Sequence, residues 1–206
     1  MTVSAINRTS SGRYTIVLED GREIKSTLNA VSDLMLYTGK ELEEQELNEL
    51  ISVSERSVML QKAIDCVSRR QMSVKELRDK LIEKGAGDAV ADYCIDRLIS
   101  LKLLNDEAYA ASVVRHYSSA GYGTARIRSE LKHRGIERDL WDTAFDSMET
   151  DDFSSQIDSI IKKKLHNPKD SDAVKKVSAY LFRRGYSWDE IRSSLSRFEI
   201  ETEQEE

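Results

Sequence analysis

Few side chains in this 206-residue sequence are of the types that carry out catalytic or metal chemistry. His116, His133 and His166 do not lie within a few residues of one another or of either cysteine, so they lack the spacing of metal ligands. We interpret each histidine as a helix-surface residue. Cys66 and Cys94 fall inside amphipathic helical patterns and are predicted to be small buried hydrophobic residues. The sequence therefore predicts no catalytic, cofactor-binding or metal-binding residue.

A glycine-containing segment, Gly121-Tyr122-Gly123, resembles the start of a phosphate-binding loop. It follows a predicted helix, however, and it lacks both the next glycine and the Gly-Lys-Ser/Thr sequence of such loops. We interpret it as a turn between two helices. Carboxylates are abundant, but no acid–base pair stands out, so the sequence favours a binding protein over an enzyme.

The side chains that could bind a partner are cations on predicted helices. Between residues 126 and 134 only Glu130 offsets four cations, which leaves a solvated face and a partner-binding face as equal alternatives. Earlier in the chain, pairs such as Glu76 and Lys80 favour a solvated face. Tyr117, Tyr122, Tyr180 and Tyr186 lie near the same helix ends and could stack on bases or pack internally. The predicted binding residues are Arg126, Arg128, Lys132, Arg134, Lys175, Lys176, Arg183 and Arg184.

These cations belong to a motif that recurs every 50 residues. Gly85, Gly135 and Gly185 are equally spaced, and each follows a lysine or arginine. Apolar residues in steps of three and four precede each glycine, which predicts one buried helical face. Each glycine is expected to end its helix in the left-handed conformation. A second amphipathic helix follows each glycine and another precedes each pair. The predicted N-cap residues are Ser73, Asn105 or Asp106, Asp172 and Ser187.

The predicted fold is mainly α, a tandem array of three three-helix repeats at 57–104, 105–149 and 150–199. Residues 1–56 alternate apolar and polar residues around Asp20-Gly21 and then become helical, which predicts a small β-hairpin plus helix domain. Separate helices are expected at 30–37, 43–51 and 58–70. Residues 200–206 are expected to form a disordered acidic tail.

The net charge of −6 is unevenly distributed. Residues 1–56 hold 6 basic and 10 acidic residues, whereas 57–199 hold 25 basic and 23 acidic ones. The repeat region is therefore nearly neutral, and its basic clusters can contact an acidic partner.

No apolar stretch is long enough to span a membrane, and we expect a cytoplasmic monomer.

Several stretches of the sequence resemble those of one known family. Residues 103–110 are Leu-Leu-Asn-Asp-Glu-Ala-Tyr-Ala, and residues 126–136 are Arg-Ile-Arg-Ser-Glu-Leu-Lys-His-Arg-Gly-Ile. A related pattern at 63–85 includes Arg69-Arg70 and ends at Lys84-Gly85. In this order and spacing, the chain resembles the RecX family of bacterial regulators of the recombinase RecA. Ala86-Gly87 departs from the aromatic or apolar residue usual in the family, which should weaken the packing of that turn.

The resemblance implies a non-catalytic modulator of RecA in DNA repair and the SOS response. RecX-like proteins bind RecA filaments on single-stranded DNA, lie along the filament groove, and limit growth or promote disassembly. The ATPase, strand-exchange and co-protease activities of RecA fall as a consequence. Of the predicted binding residues, only Arg126 and Arg134 stand in the family motif, and the others are chosen from charge placement.

Two other functions remain open at the level of the sequence. The basic helices and tyrosines also suit a DNA-binding helical-repeat module that acts independently of RecA. A helical adaptor for another protein is the third possibility. Bare single-stranded DNA and RecA filaments distinguish these alternatives, because each alternative predicts a different binding partner.

Overall fold

The computed structural model of the chain describes residues 1–10, 12–146 and 151–205, with side chains described except at 151–153 and 201–205. The chain forms two compact units, Met1–Leu104 and Asn105–Glu206. No helix in the described ranges is long and apolar enough to cross a lipid bilayer. The elements are β1 (Val3–Arg8), β2 (Tyr14–Leu18), β3 (Glu23–Ser26), α1 (Leu28–Asp33), α2 (Glu44–Arg69), α3 (Val74–Glu83), α4 (Asp88–Ser100), α5 (Asp106–Ser119), α6 (Thr124–His133), α7 (Asp139–Asp146), α8 (Asp151–Lys164), α9 (Ser171–Arg183) and α10 (Trp188–Glu205).

The N-terminal strands form an antiparallel sheet in the order β1-β2-β3. The second turn of the sheet contains Gly21 at φ 83°, a conformation that glycine adopts without steric cost. Val3, Ile16 and Leu18 are buried on one face of the sheet, and Leu50 of α2 completes the same core. The predicted β-hairpin is therefore present, a third strand extends it, and a helix packs against the sheet.

A single helix, α2, runs from Glu44 to Arg69 where the sequence predicts two helices and a domain boundary at 56/57. Residues 52–57 contain neither glycine nor proline, so nothing in their backbone interrupts the helix. Leu50 faces the core of the sheet, whereas Met59 and Ala63 belong to the core of the first repeat. The predicted boundary therefore falls inside a helix that both parts share. Helix α1, in contrast, ends at Asp33, earlier than the predicted residue 37.

Each repeat ends its middle helix at the predicted glycine. Gly85, Gly135 and Gly185 have φ values of 90°, 68° and 93°. In all three turns the glycine N–H donates to the carbonyl three residues earlier, and the following N–H donates to the carbonyl five residues earlier, as in a Schellman motif. The following residue is buried each time, and in the first repeat it is Ala86. The motif therefore forms in the first repeat with only a methyl group at this position.

Three of the four predicted N-caps are present, and the fourth is shifted. Ser73 and Asn105 each accept a hydrogen bond from the N–H three residues later. Ser187 and Glu190 exchange the reciprocal hydrogen bonds of a capping box. Helix α9 is capped by Asp170 instead of Asp172, because Asp170 accepts from the N–H groups of both Asp172 and Ala173.

The C-terminal end differs from the predicted disordered tail at 200–206, because α10 continues to Glu205. Glutamate and glutamine are good helix formers, so the acidic segment continues the helix that precedes it. Glu206 lies outside the described residues. The predicted boundary at 149/150 and Met148 also lie outside them.

The buried serine pair that joins the sheet to α2 provides a test of their packing. The hydroxyls of Ser26 and Ser54 are 2.8 Å apart, and both residues are fully buried. Ser26→Ala leaves the Ser54 hydroxyl unsatisfied, so we expect a loss of about 1–3 kcal/mol in the free energy of unfolding. The double variant Ser26→Ala/Ser54→Ala should lose less than the sum of the single losses.

Urea unfolding followed by circular dichroism measures these differences. Ser4→Ala is the matched control, because it removes an exposed hydrogen bond to the Val17 carbonyl in the same sheet. We expect the control to change stability by no more than about 0.5 kcal/mol. Strictly additive losses at residues 26 and 54 would contradict the proposed coupling.

Candidate partner-binding surface of the second unit

Helix α6 carries a cationic face on the second unit. Ile127 and Leu131 are fully buried, which fixes the opposite side of the helix toward solvent. The exposed charged residues of α6 are Arg126, Arg128 and Lys132, accompanied by His133 and lacking any exposed carboxylate. We call these three cations the α6 face. An α6 surface of this composition suits phosphates or carboxylates of a partner.

The equivalent helix of the first repeat neutralises its cations internally. Lys75 Nζ lies 2.6 Å from Asp79 Oδ2, and Lys80 Nζ lies 2.7 Å from Glu83 Oε2. Arg78 reaches a carboxylate of α4, because its Nε lies 3.0 Å from Asp92 Oδ1. Among the described residues, no carboxylate forms an ion pair with the α6 face. The two helices therefore share a backbone pattern and differ in the charge they leave available.

Arg134, a predicted binding residue, is held inside the second repeat. Its guanidinium Nη2 lies 2.8 Å from Glu130 Oε1, and its Nη1 donates a hydrogen bond to the Tyr109 hydroxyl. Burial opposes the charge of the guanidinium, but hydrogen bonds with Tyr117 and Tyr109 and the nearby Glu130 carboxylate raise the pKa of Arg134. Its side chain is only 23% exposed. We therefore assign Arg134 to the contact between α5 and α6.

Arg184, another predicted binding residue, joins the third repeat to the second. Its Nη1 donates to the carbonyl oxygens of Ala120 at 2.6 Å and Gly121 at 3.1 Å. Its guanidinium carbon lies 4.7 Å from the ring centre of Tyr122 and 5.1 Å from that of Tyr180. Arg184 therefore satisfies carbonyls at the end of α5, where a helix leaves them without partners.

The backbone forms the rest of this junction. The N–H of Gly123 donates to the Arg184 carbonyl at 2.9 Å, and the N–H of Ala125 donates to the Gly185 carbonyl at 3.1 Å. A Cβ at position 123 would lie 2.4 Å from the carbonyl carbon of Gly185, so only glycine fits there. We call residues 120–125 and 184–186 the interlocked turns. Gly121-Tyr122-Gly123 therefore packs against the turn of the third repeat and has a structural role.

The remaining predicted residues lie on α9 or at its end. Lys175, Lys176 and Arg183 are exposed, and Lys175 Nζ lies 3.5 Å from Asp172 Oδ1. Because α6 and α9 belong to one compact unit, and the interlocked turns join the start of α6 to the end of α9, both sets of cations lie on the second unit. Six of the eight predicted residues are therefore exposed, and Arg134 and Arg184 hold the unit together.

The tyrosines that could stack on bases pack internally. Tyr117 and Tyr122 are tilted against each other with ring centres 5.6 Å apart. Lys164 Nζ lies 4.4 Å from the ring centre of Tyr180, and Tyr186 is only 1% exposed. All four tyrosines therefore stabilise the fold.

Sequence reasoning missed two exposed aromatic residues, Phe182 and Trp188. Phe182 directly follows the buried Leu181, so it lies off the apolar stripe of α9 by about 100° of helical rotation. Trp188 is the first residue of α10 and lies three residues before the buried Ile191, on the same side of the helix, yet it remains 52% exposed at the helix end. The signal available in the sequence was the displacement of Phe182 from its apolar stripe, whereas the spacing of Trp188 gives no such signal. In the part of the chain that the structure describes, no cluster of three His, Cys, Asp or Glu side chains could hold a metal ion.

Comparison with known protein families matches two of the three repeats. Residues 60–98 match the description "RecX, first three-helix domain", and residues 105–144 match "RecX, second three-helix domain". The regulatory protein RecX of Pseudomonas entomophila is 34% identical over 136 residues, which cover 65% of this chain and 87% of that protein. The regulatory protein RecX of Bacillus licheniformis is 28% identical over 213 residues, which cover 98% of this chain and 79% of that protein.

Two solved structures have a similar fold. A crystal structure of regulatory protein RecX superposes with a TM-score of 0.73 at 22% identity, covering 94% of this chain and 98% of that one. The crystal structure of RecX from Lactobacillus salivarius gives a TM-score of 0.66 at 22% identity, covering 71% of this chain and 97% of that one. At this identity the likeness bears on the fold alone.

Two N-cap glycines allow a matched test of the interlocked turns. Gly123→Ala places a methyl group against the Gly185 backbone, whereas Gly87→Ala places one in open space. Both residues are extended N-caps at negative φ, so the loss of N-cap preference is common to the two variants. We expect Gly123→Ala to lower the free energy of unfolding by about 1–3 kcal/mol more than Gly87→Ala.

Urea unfolding checks this difference, with circular dichroism for both variants. Tryptophan fluorescence gives a second reading for the second unit, which holds both tryptophans, Trp141 and Trp188. Equal losses in the two variants would mean that the turns do not depend on close backbone contact.

The buried Tyr186 makes the second unit sensitive to alkaline pH. Burial raises the pKa of Tyr186 to about 12, whereas an unfolded tyrosine has a pKa of about 10. The folded state therefore keeps this proton longer, and stability falls as the pH rises from about 10 to about 12. Among the described residues, the Tyr186 hydroxyl has no hydrogen-bond partner, so Tyr186→Phe should cost little at neutral pH.

Between neutral pH and about pH 11, we expect the natural protein to lose about 1.4 kcal/mol in its free energy of unfolding through Tyr186. The variant Tyr186→Phe should not show this loss. Urea unfolding at the two pH values, followed by tryptophan fluorescence, measures the difference. Tyr37→Phe, which removes an exposed hydroxyl, is the control and should behave as the natural protein does. An identical alkaline loss in Tyr186→Phe would contradict this assignment.

Proposed function

Since the chain belongs to the RecX family of regulatory proteins, we propose that it binds RecA filaments on single-stranded DNA and inhibits them without catalysis of its own. Inhibition acts on filament growth, and the ATPase, strand-exchange and co-protease activities of RecA fall with it. The α6 face is the observation that carries the proposal, because its three cations are exposed and form no ion pair with a carboxylate among the described residues. One of them, Arg128, also lies over a ring of its own repeat, with its guanidinium carbon 5.5 Å from the ring centre of Phe145.

The contact residues in this proposal are the six exposed cations. Arg126 stands in the family motif and on the α6 face, so it is the first candidate. Arg134 and Arg184 act as positioning residues, because their guanidinium groups are engaged with Glu130 and with the end of α5. The binding residues are Arg126, Arg128, Lys132, Lys175, Lys176 and Arg183.

Two groups of cations on one unit suit a polymeric partner. A filament repeats the same surface, so α6 and α9 can contact it at more than one place. The second contact then forms at a high effective concentration, which raises the overall affinity without new types of interaction. A soluble partner with a single acidic patch offers no such advantage.

Charge reversal of the α6 face tests the proposal. The variant Arg126→Glu/Arg128→Glu/Lys132→Glu is added to preformed RecA filaments, and the DNA-dependent ATPase of RecA is measured. Charged contacts contribute from a few tenths to about 3 kcal/mol each, so half-inhibition should need at least about tenfold more of the variant than of the natural protein.

Lys75→Glu/Lys80→Glu/Lys84→Glu is the matched control, because it reverses three cations in and just after α3 and changes the net charge equally. It should inhibit RecA within about twofold of the natural protein, since exposed ion pairs contribute little. An unchanged RecA ATPase with saturating natural protein would refute the proposed function. Full inhibition by the α6 variant would move the contact elsewhere on the chain.

The α6 face also supports a second candidate, a DNA-binding module that acts independently of RecA. Such a module would bind bare DNA tightly, and its affinity would fall steeply between about 50 and 200 mM salt. Titration of labelled single-stranded DNA at these two salt concentrations, with and without RecA, separates the candidates. Tight binding to DNA with no effect on the RecA ATPase would favour the second one.

A further inference from the structure

Two aromatic side chains are stacked on the surface beside the turn between α9 and α10. The rings of Phe182 and Trp188 have centres 5.0 Å apart and planes inclined by only 20°. Phe182 remains 51% exposed and Trp188 remains 52% exposed. We call this pair the aromatic platform. Each ring covers part of the other, and about half of each side chain still contacts water.

The aromatic platform is not needed to fill the core of the third repeat. Leu181 and Ile191, the neighbouring buried residues, are already 0% and 1% exposed. Leaving two large rings half exposed forgoes the favourable burial that other aromatic residues of this chain obtain, such as Trp141 at 7% exposure. Adjacent exposed aromatic rings are typical of binding surfaces.

Three exposed cations lie on the same two helices as the aromatic platform. Arg183 follows Phe182 directly, and Lys175 lies on the same side of α9, two turns earlier. Arg192 is four residues after Trp188 and therefore lies beside it on α10. Two exposed carboxylates offset these cations in part, because Asp189 is next to Trp188 and Asp172 Oδ1 lies 3.5 Å from Lys175 Nζ, but the three cations still outnumber them. A partner for this surface combines negative charge with flat rings.

We propose that the aromatic platform stacks on a base of single-stranded nucleic acid, whose phosphates contact Arg183, Arg192 and Lys175. The chemistry fits because every base offers a π face, and the strand carries one negative charge per nucleotide. An apolar protein surface would use the rings but would gain nothing from the three cations. The inference deepens the proposed function, since it gives the DNA strand within the filament a direct contact with this chain.

The test uses bare DNA, so that it is independent of RecA. Binding of a fluorescein-labelled oligothymidylate of about 16 nucleotides is followed by fluorescence anisotropy at about 50 mM salt. Trp188→Ala and Phe182→Ala should each raise the dissociation constant by about 5- to 150-fold. Trp188→Phe keeps an aromatic ring and should stay within a few-fold of the natural protein. Circular dichroism verifies that each variant is folded.

Two controls separate stacking from charge. Tyr37→Ala removes an exposed aromatic residue far from the site in sequence, in the first unit, and should leave the dissociation constant unchanged. A strand of the same length without bases keeps the phosphates, so it should bind more weakly and equally well to the natural protein and to Trp188→Ala.

Several outcomes would overturn the proposal. Equal affinity of Trp188→Ala and the natural protein for oligothymidylate is one, and equal affinity of the natural protein for the two strands is another. Loss of RecA inhibition in Trp188→Ala with unchanged binding to oligothymidylate would assign the pair to a protein contact instead. Binding to oligothymidylate through the platform without any effect on the RecA ATPase would support this inference while refuting the proposed function.

Discussion

The second unit depends on the close approach of two glycine-containing backbones. Gly123 and Gly185 lie so near each other that main-chain hydrogen bonds join their turns directly, from the Gly123 N–H to the Arg184 carbonyl and from the Ala125 N–H to the Gly185 carbonyl. The beginning of α6 therefore has no side-chain cap of its own, and the carbonyl of Gly185 serves one of its N–H groups instead. In the first repeat the same position is Ser73, which caps α3 from within the repeat. The first repeat therefore caps this helix with its own side chain, whereas the second repeat uses the backbone of the third.

The same junction divides the cations into two groups. Arg134 and Arg184 occupy equivalent positions just before a left-handed glycine, and both fold back onto tyrosines. Both guanidinium groups form hydrogen bonds within the second unit. Cations one to two turns earlier on the same helices, such as Arg126 and Lys176, project to solvent. Position within the repeat therefore decides whether an arginine organises the fold or remains available to a partner.

The sequence predicts much of the fold because the information for the repeats is local. Apolar spacing and Gly85, Gly135 and Gly185 identify the helices and their ends, and the structure agrees with them. The sequence did not predict the long helix α2. The absence of a helix breaker between residues 51 and 58 is a weaker signal than a glycine or a capping residue that marks a helix end. The roles of Arg134 and Arg184 were also missed, since they depend on residues as distant as Tyr109 and Ala120, which sequence spacing does not reveal. The exposure of Phe182 is different, because its position beside the apolar stripe of α9 follows from local helical spacing.

Helix α2 has a mechanical consequence for the first unit. Its 26 residues include neither glycine nor proline, so no hinge interrupts them. One end is anchored in the sheet through Leu50 and Ser54, and the other in the first repeat through Ala63. Force applied to the strands is therefore transmitted to the helices of the first repeat along a continuous helix about 39 Å long.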